Sequence, residues 1–164
     1  MIAPFKKADK RGHYHTTRAV SDREIVEMAR SLINRRFSKG RVLTSPDATR
    51  EFLTLNLAEL EHESFSCFFL DNQHRVLAFE PLFRGTIDGA SVYPREVVKR
   101  ALQLNAAALI FAHNHPSGIA EPSDADCVIT RKLIDALRLI DIRVLDHFIV
   151  GGDEVLSFAE RGLI

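Results

Sequence analysis

The chain has 164 residues, of which 46% are hydrophobic and 27% are charged, a composition typical of a globular protein long enough for one domain. Its 22 lysines and arginines balance 22 aspartates and glutamates, so the net charge gives no general signal for binding polyanions. The two cysteines are too few to suggest a disulfide scaffold, and no apolar stretch approaches the roughly 18–20 residues of a membrane helix. The N-terminus also lacks the pattern of a secretory segment. Together these features predict a cytoplasmic protein.

The N-terminal part is predicted to precede the main domain in two segments. Residues 1–20 are polar and basic and lack an apolar period, so we expect an irregular, flexible arm. His13 and His15 lie in this arm without a third ligand nearby, which favours a solvated tail over a metal site. Residues 21–44 are predicted to hold one helix, from Ser21 to Phe37, and a basic turn.

Residues 45–164 are predicted to form one domain in which helices and strands alternate. In chain order we expect a helix that starts at Ser45 or Pro46 and has an apolar stripe ending at Leu60, strands at Phe65–Leu70 and at about Arg75–Phe83, a loop at Gly85–Gly89, a helix from Pro94 to about Asn105, a strand at Ala106–Ala112, a helix from Ser123 to about Leu139, and strands at Ile142–Val150 and Val155–Phe158. This order predicts a mixed α/β domain with one sheet covered by helices.

Two histidines directly follow the strand predicted at Ala106–Ala112. His113 and His115 are two residues apart, so on an extended chain their side chains lie on one side, about 6–7 Å apart, and can converge on one ion. Pro116 and Gly118 then turn the chain sharply towards the next helix. A third ligand at the start of that helix would complete an open catalytic zinc site, with a free position for water.

The residues alone leave the third ligand open. Asp124 and Asp126 are both candidates, but two positions on a helix differ by about 200° in direction, so only one of them can face the histidines. Ser123-x-x-Asp126 is also the spacing of a helix capping box, which is a purely structural role. Asn114, between the histidines, should point away from the ion and could position the loop.

Hydrolysis at such a site also needs a group that accepts a proton. Glu59, Glu61 and Glu63 immediately precede the first strand of the domain, where a carboxylate could reach over the edge of the sheet. A solvated helix end is the alternative role for most of them. The residue types and spacing do not choose among the three.

Two other metal-dependent families fit poorly. Zinc deaminases pair His-x-Glu with Pro-Cys-x-x-Cys, whereas here His115 stands in place of the glutamate and Cys127 has no partner cysteine. The contiguous His-Asn-His string differs from the HNH nuclease motif, whose residues are dispersed. Both families are therefore set aside.

Together, Glu63, His113-x-His115 and Ser123-x-x-Asp126 resemble the signature of the JAMM (JAB/MPN) metalloproteases. More narrowly, the chain from about Ser45 to its C-terminus resembles their bacterial RadC-like branch. The segments that carry this resemblance are Pro94-Arg95-Glu96-Val97, His113-Asn114-His115-Pro116-Ser117-Gly118, Pro122-Ser123, Asp146-His147-Phe148-Ile149-Val150-Gly151 and Ser157-Phe158. The resemblance implies a single JAB/MPN-like (cytidine-deaminase-like) domain over residues 45–164, with a mixed, curved sheet flanked by helices.

The resemblance also assigns roles to the site residues. It implies that His113, His115 and Asp126 hold one Zn²⁺ per chain, that Glu63 is the general acid/base, and that the Ser123 hydroxyl stabilises the oxyanion. The implied function is that of a zinc-dependent metallopeptidase or amide (isopeptide) hydrolase that uses zinc-bound water. The substrate, whether a protein, a peptide or a small amide, is not identified by the sequence.

The alternative is a DNA-repair-associated or interaction module with a mainly structural metal, as the RadC resemblance traditionally suggests. The helix-hairpin-helix segment of longer RadC proteins is not evident in residues 1–44, which weakens the expectation of DNA binding. A basic patch for nucleic acid could still come from residues 1–20 with Arg35, Arg36, Lys39 and Arg41.

Three further histidines are expected to lie outside the ligand set. As a fourth ligand, His147 would close the site to substrate, so we expect it to support the site through a hydrogen bond instead. His62 and His74 are expected at the surface.

Overall fold

A computed structural model of the chain describes residues 4–10, 12–43, 45–85 and 91–164. The chain divides into two compact units, Met1–Arg36 and Phe37–Ile164. Within the described residues, no helix is both long and apolar enough to cross a membrane.

The described residues of the first unit form a short hairpin and one helix. Its antiparallel strands are β1 (Phe5–Lys7) and β2 (Tyr14–Thr16), and the helix is α1 (Asp22–Arg36). The hairpin corrects the expectation that residues 1–20 are irregular. Backbone pairing joins residues that have no apolar alternation, so hydropathy alone could not reveal these strands. The flexibility of this segment stays a prediction.

The described residues of the second unit form one sheet and three helices. Its elements, in chain order, are α2 (Pro46–Leu57), β3 (Ser64–Leu70), β4 (Val76–Arg84), α3 (Pro94–Gln103), β5 (Ala108–Asn114), α4 (Asp124–Arg138), β6 (Arg143–Gly151) and β7 (Glu154–Ser157). The strand order is β4-β3-β5-β6-β7, and β5 and β6 are parallel while the other neighbours are antiparallel. The mixed α/β fold predicted from the sequence is confirmed.

Helices cover both faces of this sheet because the side chains of β3 alternate between two apolar clusters. Phe65, Cys67 and Phe69 belong to the core that α3 and α4 complete with Val97, Ala101, Leu133 and Leu137. Phe68 points the other way, where its ring lies 5.2 Å from that of Phe52 on α2. Strands buried on both faces explain why the sequence of β3 and β5 is nearly continuous apolar residues.

Two boundaries differ from the prediction in ways that affect the site. Helix α2 ends at Leu57, so Leu60 does not extend its stripe; instead the Leu60 carbonyl accepts a hydrogen bond from the side chain of Asn114. Strand β5 runs to Asn114 rather than Ala112, so His113 lies inside the sheet rather than in a loop. The loop predicted at Gly85–Gly89 lies, apart from Gly85, outside the described residues.

Candidate metal centre

The sheet itself positions the two histidines. His113 pairs with Phe65 on β3 and with Ile149 on β6, and its side chain is 1% exposed. His115 follows β5, and its backbone N–H donates to the carbonyl of Val150 at 2.8 Å. Both backbones are therefore fixed by hydrogen bonds, and the two Nε2 atoms lie 2.9 Å apart.

Asp126 completes the cluster from the first turn of α4. Its Oδ1 lies 3.2 Å from Nε2 of His113, and its Oδ2 lies 3.5 Å from Nε2 of His115. Asp124 is exposed, as the helical rotation between the two positions requires. Within the described ranges, these three residues are the one group of three or more His, Cys, Asp or Glu side chains that could hold a metal ion.

The spacing of the cluster suits a tetrahedral ion. Two ligand atoms about 2.0–2.1 Å from such an ion lie about 3.3 Å from each other. The distances of 2.9, 3.2 and 3.5 Å between the three ligand groups bracket that value. Nδ1 of His115 lies 2.8 Å from the carbonyl oxygen of Ile119, which can only accept. His115 must therefore carry its proton on Nδ1, which leaves the lone pair of Nε2 towards the cluster.

A buried chain of hydrogen bonds orients His113 in the same way. The Thr130 hydroxyl donates to the Asp126 carbonyl at 2.6 Å, so it must accept from Nδ1 of His147, 2.7 Å away. Nε2 of His147 is then an acceptor, and it lies 2.8 Å from Nδ1 of His113. His113 consequently donates from Nδ1 and presents the lone pair of Nε2 to the cluster, as a metal ligand requires.

The electrostatics of the cluster also favour a cation at its centre. Burial alone would raise the pKa of Asp126, but the close contacts with His113 and His115 outweigh burial and hold that pKa far below its usual value. The contact with Asp126, and in smaller part the charge of Glu63, raises the pKa of His115. Burial lowers the pKa of His147, which keeps its ring neutral behind His113. The donor set therefore fits a metal ion.

Ser123 forms the capping box that its spacing with Asp126 indicates. Its hydroxyl and backbone N–H both donate to Oδ2 of Asp126, at 2.6 and 2.8 Å, and its Oγ accepts from the Asp126 N–H at 3.2 Å. These bonds orient the carboxylate. They also engage the hydroxyl proton, so the oxyanion-stabilising role of Ser123 stays a prediction.

Glu63 is placed differently from the two other acidic candidates. It is half-buried just before β3 and lines a cavity of about 360 Å³ together with His115, Ser123 and Asp126. Glu59 and Glu61 are exposed. A group that exchanges protons with a substrate at the cluster must border this cavity, as Glu63 does.

Asn114 ties the segment carrying Glu63 to the strand carrying the histidines. Its Oδ1 accepts from the backbone N–H of Ser64 at 2.9 Å, and its Nδ2 donates to the carbonyls of Leu60 and His62 at 3.3 and 3.0 Å. The side chain thus points away from the cluster, as its position in a strand predicts.

The sequence interpretation missed one supporting residue. Thr130 lies one helical turn after Asp126, a spacing that places both on the same face of α4 and could have revealed it. His147 was expected as a hydrogen-bonding partner, and it lies outside the three-residue cluster, behind His113.

Comparisons with known proteins define the family. The sequence matches the family model of the RadC-like JAB domain over residues 43–163. The chain belongs to the RadC-like JAB domain family. Its similarity to a UPF0758 protein of Thioalkalivibrio sulfidiphilus is 64% identity over 140 residues, or 85% of this chain and 62% of the relative. UPF0758 proteins of Chromohalobacter salexigens and Nitrosococcus oceani are each 63% identical, over 84% and 85% of this chain and 61% and 62% of their own lengths.

This RadC-like JAB domain chain thus spans about three-fifths of the length of the curated relatives it matches. The designation UPF0758 states no activity.

Proposed function

We propose that this RadC-like JAB domain hydrolyses amide bonds, in peptides or isopeptides, with one Zn²⁺ held by His113, His115 and Asp126. The observation that carries the proposal is that two of these ligands, His115 and Asp126, line a cavity which Glu63 also lines, with His113 directly behind them. A Zn²⁺ ion with three protein ligands supplies Lewis acidity and lowers the pKa of water to about 7.

The protein groups around the cavity divide the remaining work. Glu63 accepts a proton from the attacking water and returns it to the leaving amine, a role that typically contributes about 10²–10⁴ in rate. His147 and Thr130 hold the imidazole of His113 in the tautomer that ligation needs. Ser123 orients the Asp126 carboxylate, and rotation of its hydroxyl would let it donate to the oxyanion.

An ion with a purely structural role would be expected to have four protein ligands. Among the residues that the structure describes, the cluster contains three, and His147 is engaged with His113 and Thr130 instead. Three protein ligands, two of which line an open cavity, support hydrolysis over a structural ion.

Glu63→Gln tests the proposal, with Glu61→Gln as the matched control. Zinc-loaded protein is incubated with a library of quenched-fluorescent peptides and isopeptide-linked probes, and bound zinc is measured in parallel. Glu63→Gln should lower kcat/KM about 10²–10⁴-fold with zinc retained, because only the proton transfer is lost. Glu61→Gln should cleave like the wild type. Equal cleavage by the wild type and Glu63→Gln, or no cleavage by the zinc-loaded wild type, would contradict the proposal.

A further inference from the structure

One face of α4 continues the wall of the cavity beyond Asp126. Ala125, Val128, Ile129 and Lys132 line it together with Val92, which precedes α3. Their spacing of three or four residues places them on one side of the helix. The wall is therefore apolar near the candidate metal centre and ends in a cation.

Lys132 is an exposed cation without an ion-pair partner among the described residues. Some other cations of this unit are paired, as Arg100 is with Glu80 and Arg161 with Glu121. Within the cavity, the two positive charges of a divalent ion would balance the negative charges of Glu63 and Asp126. The positive charge of Lys132 would then have no counter-charge among the described lining residues, which favours binding of an anionic group beside Lys132.

The helix sets the distance between this cation and the hydrolytic centre. Lys132 lies six residues after Asp126, which is about 9 Å along the axis at 1.5 Å per residue. Helical side chains lean towards the N-terminus, so the ammonium lies nearer to the centre than its Cα does. An extended peptide covers about 3.3 Å per residue, so the separation corresponds to about two residues of substrate.

We propose that Lys132 binds a carboxylate located about two residues from the amide bond that is hydrolysed. The inference rests on the proposed function and specifies its substrate class, namely acidic peptides or amides. Val128, which is 46% exposed on the rim, together with Val92 and Ile129 would contact the apolar part of the substrate between the cleaved bond and the carboxylate.

Binding measured without turnover tests this proposal. The zinc-loaded Glu63→Gln chain is titrated with fluorescent seven-residue peptides that have a central Leu–Gly bond. Each peptide carries a single Asp, placed one, two or three residues before or after that bond, and each has a control peptide with Asn in place of the Asp. One arm has capped termini and a second arm has a free C-terminus, which separates a side-chain carboxylate from a terminal one. At low salt, one acidic position should bind about two- to fivefold more tightly than its neutral control, and the preference should shrink as salt is added.

Lys132→Ala should abolish the preference and Lys132→Glu should reverse it. Arg131→Ala is the matched control, because Arg131 is the neighbouring exposed cation, does not line the cavity, and should leave the preference intact. Equal binding of every acidic peptide and its neutral control, or a preference that survives Lys132→Ala, would overturn the proposal. Cleavage of the same peptides by the chain with Glu63 separates the two claims. If the peptides are cleaved but the acidic ones bind no more tightly than their neutral controls, only the role of Lys132 is contradicted. If an acidic peptide binds more tightly but none is cleaved, the role of Lys132 is supported and hydrolysis is contradicted.

Discussion

Nε2 of His147 lies 2.8 Å from Nδ1 of His113, and this contact fixes which nitrogen of His113 faces Asp126. Both rings are almost completely buried, so no water can replace the bond without a cavity opening. The orientation of a metal ligand thus depends on a residue from the neighbouring parallel strand. Hydrogen bonds of this kind typically change metal affinity about 10–100-fold.

Replacing His147 should weaken metal binding most when the new side chain cannot accept a hydrogen bond from Nδ1 of His113. His147→Leu removes the acceptor for Nδ1 of His113 and should lower zinc affinity about 10–100-fold. His147→Gln places a carbonyl oxygen near the position of Nε2 and should lose much less. Competition with a chelator at fixed pH measures both. The same loss in both variants, or no loss in either, would show that the acceptor does not matter.

Asn114 should affect stability and turnover more than metal binding. Asn114→Asp keeps the shape but removes the donor to the partly buried carbonyls of Leu60 and His62, which should lower stability by about 1–3 kcal/mol. Turnover should also fall because the segment carrying Glu63 is released, while zinc is retained. Denaturant unfolding, zinc content and peptide cleavage measure the three effects. Asn72→Asp, in an exposed turn, is the control, and equal behaviour of the two variants would count against this role.

Gly151 should be intolerant of alanine because two segments meet there. A Cβ at Gly151 would lie 2.4 Å from the backbone N of Ala120 and 2.5 Å from the carbonyl carbon of Ile119. The carbonyl oxygen of Ile119 accepts from His115, so Gly151→Ala should lower both stability, by about 1–3 kcal/mol, and metal affinity.

Gly118→Ala provides the contrast for that variant. A Cβ there would meet no atom within 4 Å, but its φ of +80° should cost about 1–2 kcal/mol in strain. Stability should therefore fall in both variants, whereas the chelator assay should detect a loss of affinity chiefly in Gly151→Ala. Wild-type affinity in Gly151→Ala would contradict the proposed coupling between Gly151 and His115.

Local patterns were sufficient to predict the elements that make up the fold. The apolar run at Phe65–Leu70 and the caps at Ser45 and Ser123 predicted one strand and two helices that the structure contains. Their bounds agree within one or two residues, except that α2 ends three residues before the predicted end of its stripe. The hairpin at Phe5–Thr16 escaped prediction because backbone pairing between nearby segments leaves little trace in hydropathy.

Contacts between distant segments explain what local reasoning left undecided. Spacing could not choose between Asp124 and Asp126, because the choice depends on how α4 is rotated against β5. Glu63 could not be separated from Glu59 because the turn that follows Leu57 is held by Asn114, about fifty residues later in the chain. The resemblance to JAMM proteins supplied both assignments, and the structure places the chosen residues around one cavity.

Metal analysis of the purified chain tests the central claim most directly. Zinc and iron are both quantified, since two histidines and a carboxylate also form the facial triad of iron(II) enzymes. The wild type and Glu63→Gln should each carry one tightly bound zinc per chain, and His115→Ala and Asp126→Ala should lose it while remaining folded. Equal metal content in the wild type and in His115→Ala, whether both bind zinc or neither does, would contradict the account.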